Sequence, residues 1–285
     1  MSPANGPVVF VHGLWLHATS WDPWVDLFRE AGYAPLAPGW PGDADTVEET
    51  RRQPDRIAWK GIDDVVAHYA QIIRGLDAPP IVIGHSFGGL IVQRLLGQDL
   101  AAAAVAIDPA PIKGVLVLPP SSLKVASVAL RKPANRNLAV ALTREQLRYG
   151  FGNALPAQES DELYDRWAIP SPGKTLFEAA FANFTPNSPA KVNTRNKTRG
   201  PLLVTAGGKD HTVPHSRLHR DPPALPQVTR DHRPPGVPRP RSLAHDRPRL
   251  ARGRPGGARL AEAALAVAPL LHRPQSTRPA QGVGW

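Results

Sequence analysis

Gly84-His85-Ser86-Phe87-Gly88-Gly89 follows directly on the apolar run Pro80-Ile81-Val82-Ile83 and leads into a helical pattern at Leu90, Ile91, Leu95 and Leu96. A short β-branched run, a Gly-x-Ser-x-Gly turn and a helix are together the sequence form of a nucleophile elbow. The chain must turn sharply from strand to helix, which forces the serine into a strained backbone conformation, and small neighbours let the two segments pass closely. Ser86 Oγ then stands exposed at the start of a helix, where backbone N–H groups receive developing negative charge. A serine placed by chance in a glycine-rich turn would lack the strand before it and the helix after it.

Two further motifs agree. Val8-Val9-Phe10-Val11-His12-Gly13-Leu14-Trp15 reads as a buried strand ending in His-Gly. With it the chain resembles the α/β-hydrolase superfamily, in which a His-Gly turn after an early strand supplies one backbone N–H of an oxyanion hole and the residue after the nucleophile supplies the other. The resemblance implies the amides of Leu14 and Phe87 as those donors. Pro201-Leu202-Leu203-Val204-Thr205-Ala206-Gly207-Gly208-Lys209-Asp210-His211-Thr212-Val213-Pro214 looks like the family's segment for the triad acid. Asp210 then orients the base histidine and stabilises its imidazolium. Asp108, ending the run Ala104-Val105-Ala106-Ile107, is the rival acid, since some family members place theirs there; fewer residues match around it.

The family places its base histidine in a Gly-His turn some thirty residues past the acid, and no such segment stands in this chain. Residues 217–285 contain 13 Arg, 12 Pro, four acidic residues and no Lys, Ile, Phe, Tyr, Asn or Met. Nine of the ten net positive charges therefore fall in the last 69 residues. A stretch this rich in proline and poor in strand formers supplies no buried strand.

Codon arithmetic offers a cause. Only five residues of 217–285 (Thr229, Ser242, Ser276, Thr277, Trp285) require a codon beginning with A or T, against 64 in residues 1–216. A coding region with G or C at nearly every wobble position gives this pattern when the wobble base slides into first position. With suitable synonymous codons, Val237 to Leu243 read one base later gives Phe-Pro-Asp-Arg-Gly-His-Ser. His219 to Thr229 regroups to Ile-Ala-Thr-Leu-Arg-Arg-Tyr-Arg-Lys-Ser-Pro, an amphipathic helix. The missing histidine's codon straddles Ser242 and Leu243, and one extra base near codon 216 or 217 suffices. The expectation is a chain read out of frame after about residue 216; the alternative is a genuine basic extension of low complexity. The catalytic base is thus unassigned. His245 is the nearest candidate and His232 the next, while His211 and His215 lie beside the acid and His85 sits inside the elbow.

Residues 1–111 are expected to form the N-terminal part of an α/β-hydrolase core, 112–200 a cap insertion, 201–216 a core strand and acid loop, and 217–285 a disordered out-of-frame tail. Core strands are expected at 8–11, 33–37, 80–83, 104–107 and 202–206, and helices at 21–31, 62–76 and from the elbow to about 98, giving a mostly parallel sheet covered on both faces. The C-terminal strand and helix are expected to be lost, apart from an Ala/Leu/Glu-rich helix over 257–271. Short helices are expected near 143–149, 156–167 and 176–183. The aromatics Tyr149, Phe151, Tyr164, Trp167, Phe177, Phe181 and Phe184 line an acyl pocket or simply pack the cap on the body.

The chain has no cysteine, which excludes disulfides, thiol catalysis and cysteine-based zinc sites. No run of about eighteen apolar residues indicates a membrane span, and the N-terminus shows no secretory signal, so a cytoplasmic location is expected. A serine in the elbow argues against the carboxylate-nucleophile members of the family and leaves its esterase, lipase-like, cofactor-free haloperoxidase-like and hydroxynitrile-lyase-like members open. The expected function is a serine hydrolase of the esterase type acting on a small acyl substrate, with no cofactor, no metal, no nucleic-acid partner and an undetermined oligomeric state. The chain as written is expected to be impaired by its missing histidine. The alternatives are a non-catalytic hydrolase-fold binding protein and a nucleic-acid-binding protein using the arginine-rich tail.

Overall fold

The computed structural model describes residues 5–115, 120–151 and 155–205, all within one compact unit, Met1–Arg230. Its first strand, β1 (Pro7–Val11), is followed by a 3-10 turn (Ala18–Trp21) and helix α1 (Asp22–Glu30). Strand β2 (Ala34–Leu36), helices α2 (Val47–Arg52) and α3 (Ile62–Arg74), strand β3 (Ile81–His85), helix α4 (Phe87–Gly97) and strand β4 (Ala103–Ile107) follow. The insertion holds α5 (Pro120–Leu130), β5 (Ala139–Val140), α6 (Arg144–Gly150), α7 (Ala157–Trp167), β6 (Ser171–Pro172) and α8 (Gly173–Ala180). Strand β7 (Leu202–Thr205) returns to the core.

The core sheet runs β2-β1-β3-β4-β7, with every neighbouring pair parallel. Its central strands are continuous apolar runs because both faces are covered. Val8, Val9, Phe10 and Val11 are all fully buried. Alternation along the strands divides them between two layers. Val9, Val11, Val82, Ala104 and Ala106 share one buried cluster with α3 and α4. Phe10 stacks on Trp21 at 5.0 Å and meets Phe28 of α1 edge-on at 5.3 Å. The chain steps from β1 outward to β2 and then crosses to β3 on the other side of β1, so strand order reverses between β1 and β3. Open parallel sheets bind ligands at the carboxyl ends of strands at such a switch point.

Helix ends follow local chemistry. Thr46 caps α2 by accepting the Glu49 N–H at 3.2 Å, and Thr143 caps α6 by accepting that of Gln146 at 3.3 Å. At the start of α3, Asp64 accepts the Gly61 N–H at 2.7 Å and Glu178 of α8 accepts that of Ile62 at 2.7 Å. Burial raises the Asp64 carboxyl, but the Gly61 N–H and the Lys174 ammonium outweigh it and hold the group below its ordinary value. For Glu178 burial wins over the Ile62 N–H, and its carboxyl is raised. The folded chain therefore binds the Glu178 proton more tightly than the unfolded chain. That contribution to stability is full below the unfolded carboxyl's value and falls as pH rises through the raised folded value. Glu178→Gln keeps an acceptor for Ile62, so its denaturation midpoints should fall less than those of the parent between about pH 4 and pH 7. Equal slopes would remove Glu178 from the account.

Several expectations shift. Trp21 belongs to the 3-10 turn and not to α1, and α3 ends at Arg74, two residues before the expected end. The helix expected over 176–183 begins earlier, at Gly173, and a 3-10 turn (Ala182–Phe184) follows it. Helices α2 and α5 and the antiparallel β5/β6 pair were not expected. Phe184 is 84% exposed and Phe181 52%, so neither lines a buried pocket. Tyr164 lies beneath the Arg144 guanidinium at 4.7 Å and donates to the Leu142 carbonyl at 3.1 Å, which makes it a packing residue of the insertion. Phe151 meets Trp15 of the His-Gly loop, edge-on at 6.2 Å. The strand end at Ala206, the acid loop with Asp210, residues 217–285 with His245 and the helix expected over 257–271 lie outside the described residues.

Candidate active site

Ser86 stands between β3 and α4 with φ 54° and ψ −119°, a left-handed conformation that costs about 1–3 kcal/mol for a residue with a Cβ. Neighbouring bonds hold it there. The Ser86 N–H donates to the Ile107 carbonyl at 2.9 Å, and its carbonyl accepts from Gly89 N at 2.9 Å and Ala110 N at 2.8 Å. The glycine spacing has a steric cause. A Cβ on Gly88 would run into the Val11 carbonyl oxygen and stand 2.8 Å from that of His12, so α4 starts against the end of β1 only without a side chain there. Gly88→Ala should push α4 off the sheet and lower stability by about 1–3 kcal/mol or more, read as a drop in the urea midpoint. An unchanged midpoint would mean that the elbow has slack.

The His-Gly loop lies across the switch point from the serine. A Cβ on Gly13 would meet Ser86 Cβ at 2.9 Å and Ser86 Oγ at 3.5 Å, which measures how closely the loop passes the hydroxyl. Leu14 is 1% and Phe87 9% exposed. Neither backbone N–H donates to any acceptor among the described residues. Buried N–H groups are nearly always paired. These two meet no acceptor among the described residues and lie on either side of a strained serine.

The loop is pinned from both sides. Trp15, itself at φ 64°, donates its N–H to Ser171 Oγ at 2.6 Å and its indole Nε1–H to the Val140 carbonyl at 2.9 Å. Its carbonyl accepts from Ile169 N at 3.0 Å. Arg51 of α2 donates to the Ala168 and Tyr164 carbonyls, both at 2.7 Å, and ties the same insertion segment to the core. Beneath the loop His12 and Asp43 form a buried pair at 3.1 Å. The sequence reading missed Asp43 and Ser171, which carry no periodic or motif signal, and gave Trp15 no role beyond its place in the His-Gly motif. Only the Gly-Trp-Pro-Gly-Asp run at 39–43 marked a tight turn near Asp43.

Four of the ten histidines lie among the described residues. His12 engages both ring nitrogens. His17 Nε2 meets the Ala44 carbonyl at 3.0 Å and its Nδ1 the Thr19 hydroxyl at 2.9 Å, so it braces the loop. His68 Nε2 sits 3.2 Å from the Gly39 carbonyl, and His85 is the last residue of β3. Asp108 follows β4 at φ 42°, with its N–H on the Thr205 carbonyl at 2.9 Å, so it sits at the same sheet edge as Ser86. Among the described residues no group of three or more acidic or histidine side chains is disposed to hold a metal ion, and no helix is long and apolar enough to cross a membrane.

A family model described as the alpha/beta hydrolase family matches residues 8–249. No curated protein matches the chain. Among solved structures, an extracellular alpha/beta-hydrolase from a Paenibacillus species is similar at 23% identity and a TM-score of 0.54, covering 73% of this chain and 80% of that one. The monoacylglycerol lipase of Paleococcus ferrophilus is similar at 23% identity and a TM-score of 0.54, covering 77% and 79%. A methylesterase from Arabidopsis is similar at 17% identity and a TM-score of 0.51, covering 75% and 82%.

Proposed function

The chain belongs to the alpha/beta hydrolase family, and we propose that it descends from a serine hydrolase of the carboxylesterase type acting on a small ester or related acyl substrate. The observation that carries this reading is the strained Ser86 at the switch point of the sheet, with the Leu14 and Phe87 N–H groups nearby meeting no acceptor among the described residues. Ser86 Oγ attacks the carbonyl carbon as its proton passes to a histidine base. The Leu14 and Phe87 amides hold the oxyanion. The base returns the proton to the leaving alkoxide as the carbon–oxygen bond breaks, and water then attacks the acyl-enzyme by the same steps and frees the acid.

Asp210 is assigned as the acid that orients the base, with Asp108 as its rival. Asp210→Asn should lower kcat by about 1,000- to 10,000-fold in a turnover-competent protein, since the base then loses its tautomer and its counter-charge. The same change at Asp108 should cost far less; the reverse ranking would move the role to Asp108. The base belongs to the segment that the shifted reading frame replaces, at the codon straddling Ser242 and Leu243. Residues 112–200 serve in this reading as the cap over the acyl site, and the protein acts in the cytoplasm, which cell fractionation tests. Labelling by a fluorophosphonate that maps to Ser86 separates an activated serine from a non-catalytic binding protein; absence of labelling in the frame-corrected protein would remove the enzyme reading.

A further inference from the structure

The His12 and Asp43 side chains are each 3% exposed, and no step of the proposed reaction uses either. His12 Nδ1 lies 2.8 Å from the Gly13 carbonyl oxygen, which only accepts, so this nitrogen carries a proton and donates it. In a planar trans peptide the N–H points opposite to the carbonyl of the same unit. The bond that holds Gly13 O therefore sets the direction of the Leu14 N–H, the donor assigned to the oxyanion in the proposed reaction. The other ring nitrogen, Nε2, is held as well. Asp43 Oδ2 stands 3.1 Å from it, and the Trp40 N–H closes the triangle at 2.9 Å from Asp43 Oδ2 and 3.2 Å from Nε2. Trp40 also donates its indole Nε1–H to the His12 carbonyl at 3.1 Å, with the two rings 5.5 Å apart. Tyr69 secures the same loop by donating its hydroxyl to the Pro38 carbonyl at 2.7 Å. Burial, with the Asp43 charge adding to it, raises that phenol well above its ordinary value, so it stays a donor.

The imidazole cannot turn without losing contacts at both nitrogens, and Asp43 is the charged group among them. Burying a carboxylate is costly, so a purely structural filler at this position would favour an apolar side chain. We infer that Asp43 is a positioning residue of the oxyanion hole, acting through His12 on the Gly13–Leu14 peptide. The inference rests on the proposed role of the Leu14 amide and adds the group that aims it.

The sequence contains three Gly-Leu pairs, at 13–14, 75–76 and 89–90. Full-length protein labelled with carbonyl-13C glycine and 15N leucine therefore shows three coupled amide signals, and loss of one on Leu14→Val assigns it. Asp43→Asn should move the Leu14 signal and leave those of Leu76 and Leu90 in place. In p-nitrophenyl ester hydrolysis by the frame-corrected protein it should lower kcat about 10- to 100-fold with KM within about twofold, because the Leu14 bond strengthens only as the oxyanion forms. Asp43→Glu, which keeps the charge, should recover part of both effects and serves as the working variant if Asp43→Asn fails to fold. A Leu14 signal unmoved by either substitution overturns the inference, and so does a loss expressed only in KM. If the frame-corrected protein neither turns over ester nor labels at Ser86, the proposed function fails by itself, and the Leu14 signal still decides the role of Asp43.

Discussion

Ser86→Ala should abolish measurable ester hydrolysis by the frame-corrected protein, with kcat for short-chain p-nitrophenyl esters expected to fall by about 100,000- to 1,000,000-fold. The size follows from what is removed. Without Oγ no acyl-enzyme forms, and the two N–H groups of Leu14 and Phe87 are left to stabilise only a direct attack by water. The substitution leaves the fold intact, because alanine keeps the Cβ and because the bonds that hold Ser86 at φ 54° are made by its backbone. Thermal unfolding of the variant should therefore match the parent, so that the lost turnover is read as chemistry. Undiminished activity would place the nucleophile elsewhere.

Removing one base near codon 216 or 217 should produce the second large effect: both soluble yield and ester turnover are expected to rise together. The described sheet shows why a further strand matters. The strands β3 and β4 are buried almost throughout, whereas all four residues of β7 are only half-buried. A strand and helix added beyond β7 would cover apolar surface on the order of 400 Å2, which corresponds to roughly 10 kcal/mol of burial, comparable to a domain's net stability. On the proposed frame the corrected chain would also regain the Gly-His turn assigned to the base, which should be worth several powers of ten in rate. The uncorrected chain should express poorly and turn over esters near background. If it instead proves monodisperse with turnover equal to the corrected protein, the basic extension is genuine, and His245 is the first residue to replace. Sequencing the gene across codon 216 decides the cause directly.

The parallel core was readable wherever a run was apolar on both faces. Val8-Val9-Phe10-Val11 and Ile81-Val82-Ile83 cannot sit at a solvent-facing surface, and the stripe of Ile62, Val65, Val66, Tyr69 and Ile73 has helical period and little else to be. The elbow was readable because steric exclusion writes glycines at fixed offsets from the serine. The insertion was less so. Pro119 and Pro120 look like breakers, yet Pro120 opens α5, where a missing N–H costs nothing. Helix α2 is short and highly charged, and its amphipathic signal is weak. The β5/β6 pair is two residues long on each side and has no periodicity to detect.

By itself the sequence determined the fold class, the order of the five core strands with helices α1, α3 and α4, and the place of Ser86 at the turn between β3 and α4. Those features rest on local rules: residue period, glycine spacing and the sharp turn from strand to helix. The tertiary structure alone decided which groups support them. Asp43 meets His12, and Ser171 meets Trp15, across 31 and 156 positions of chain. Such contacts depend on where folded loops converge over a sheet edge, and neither composition nor spacing encodes that. The exposure of Phe181 and Phe184 was decided in the same way, since an aromatic residue turns inward only where the packed elements leave it a space.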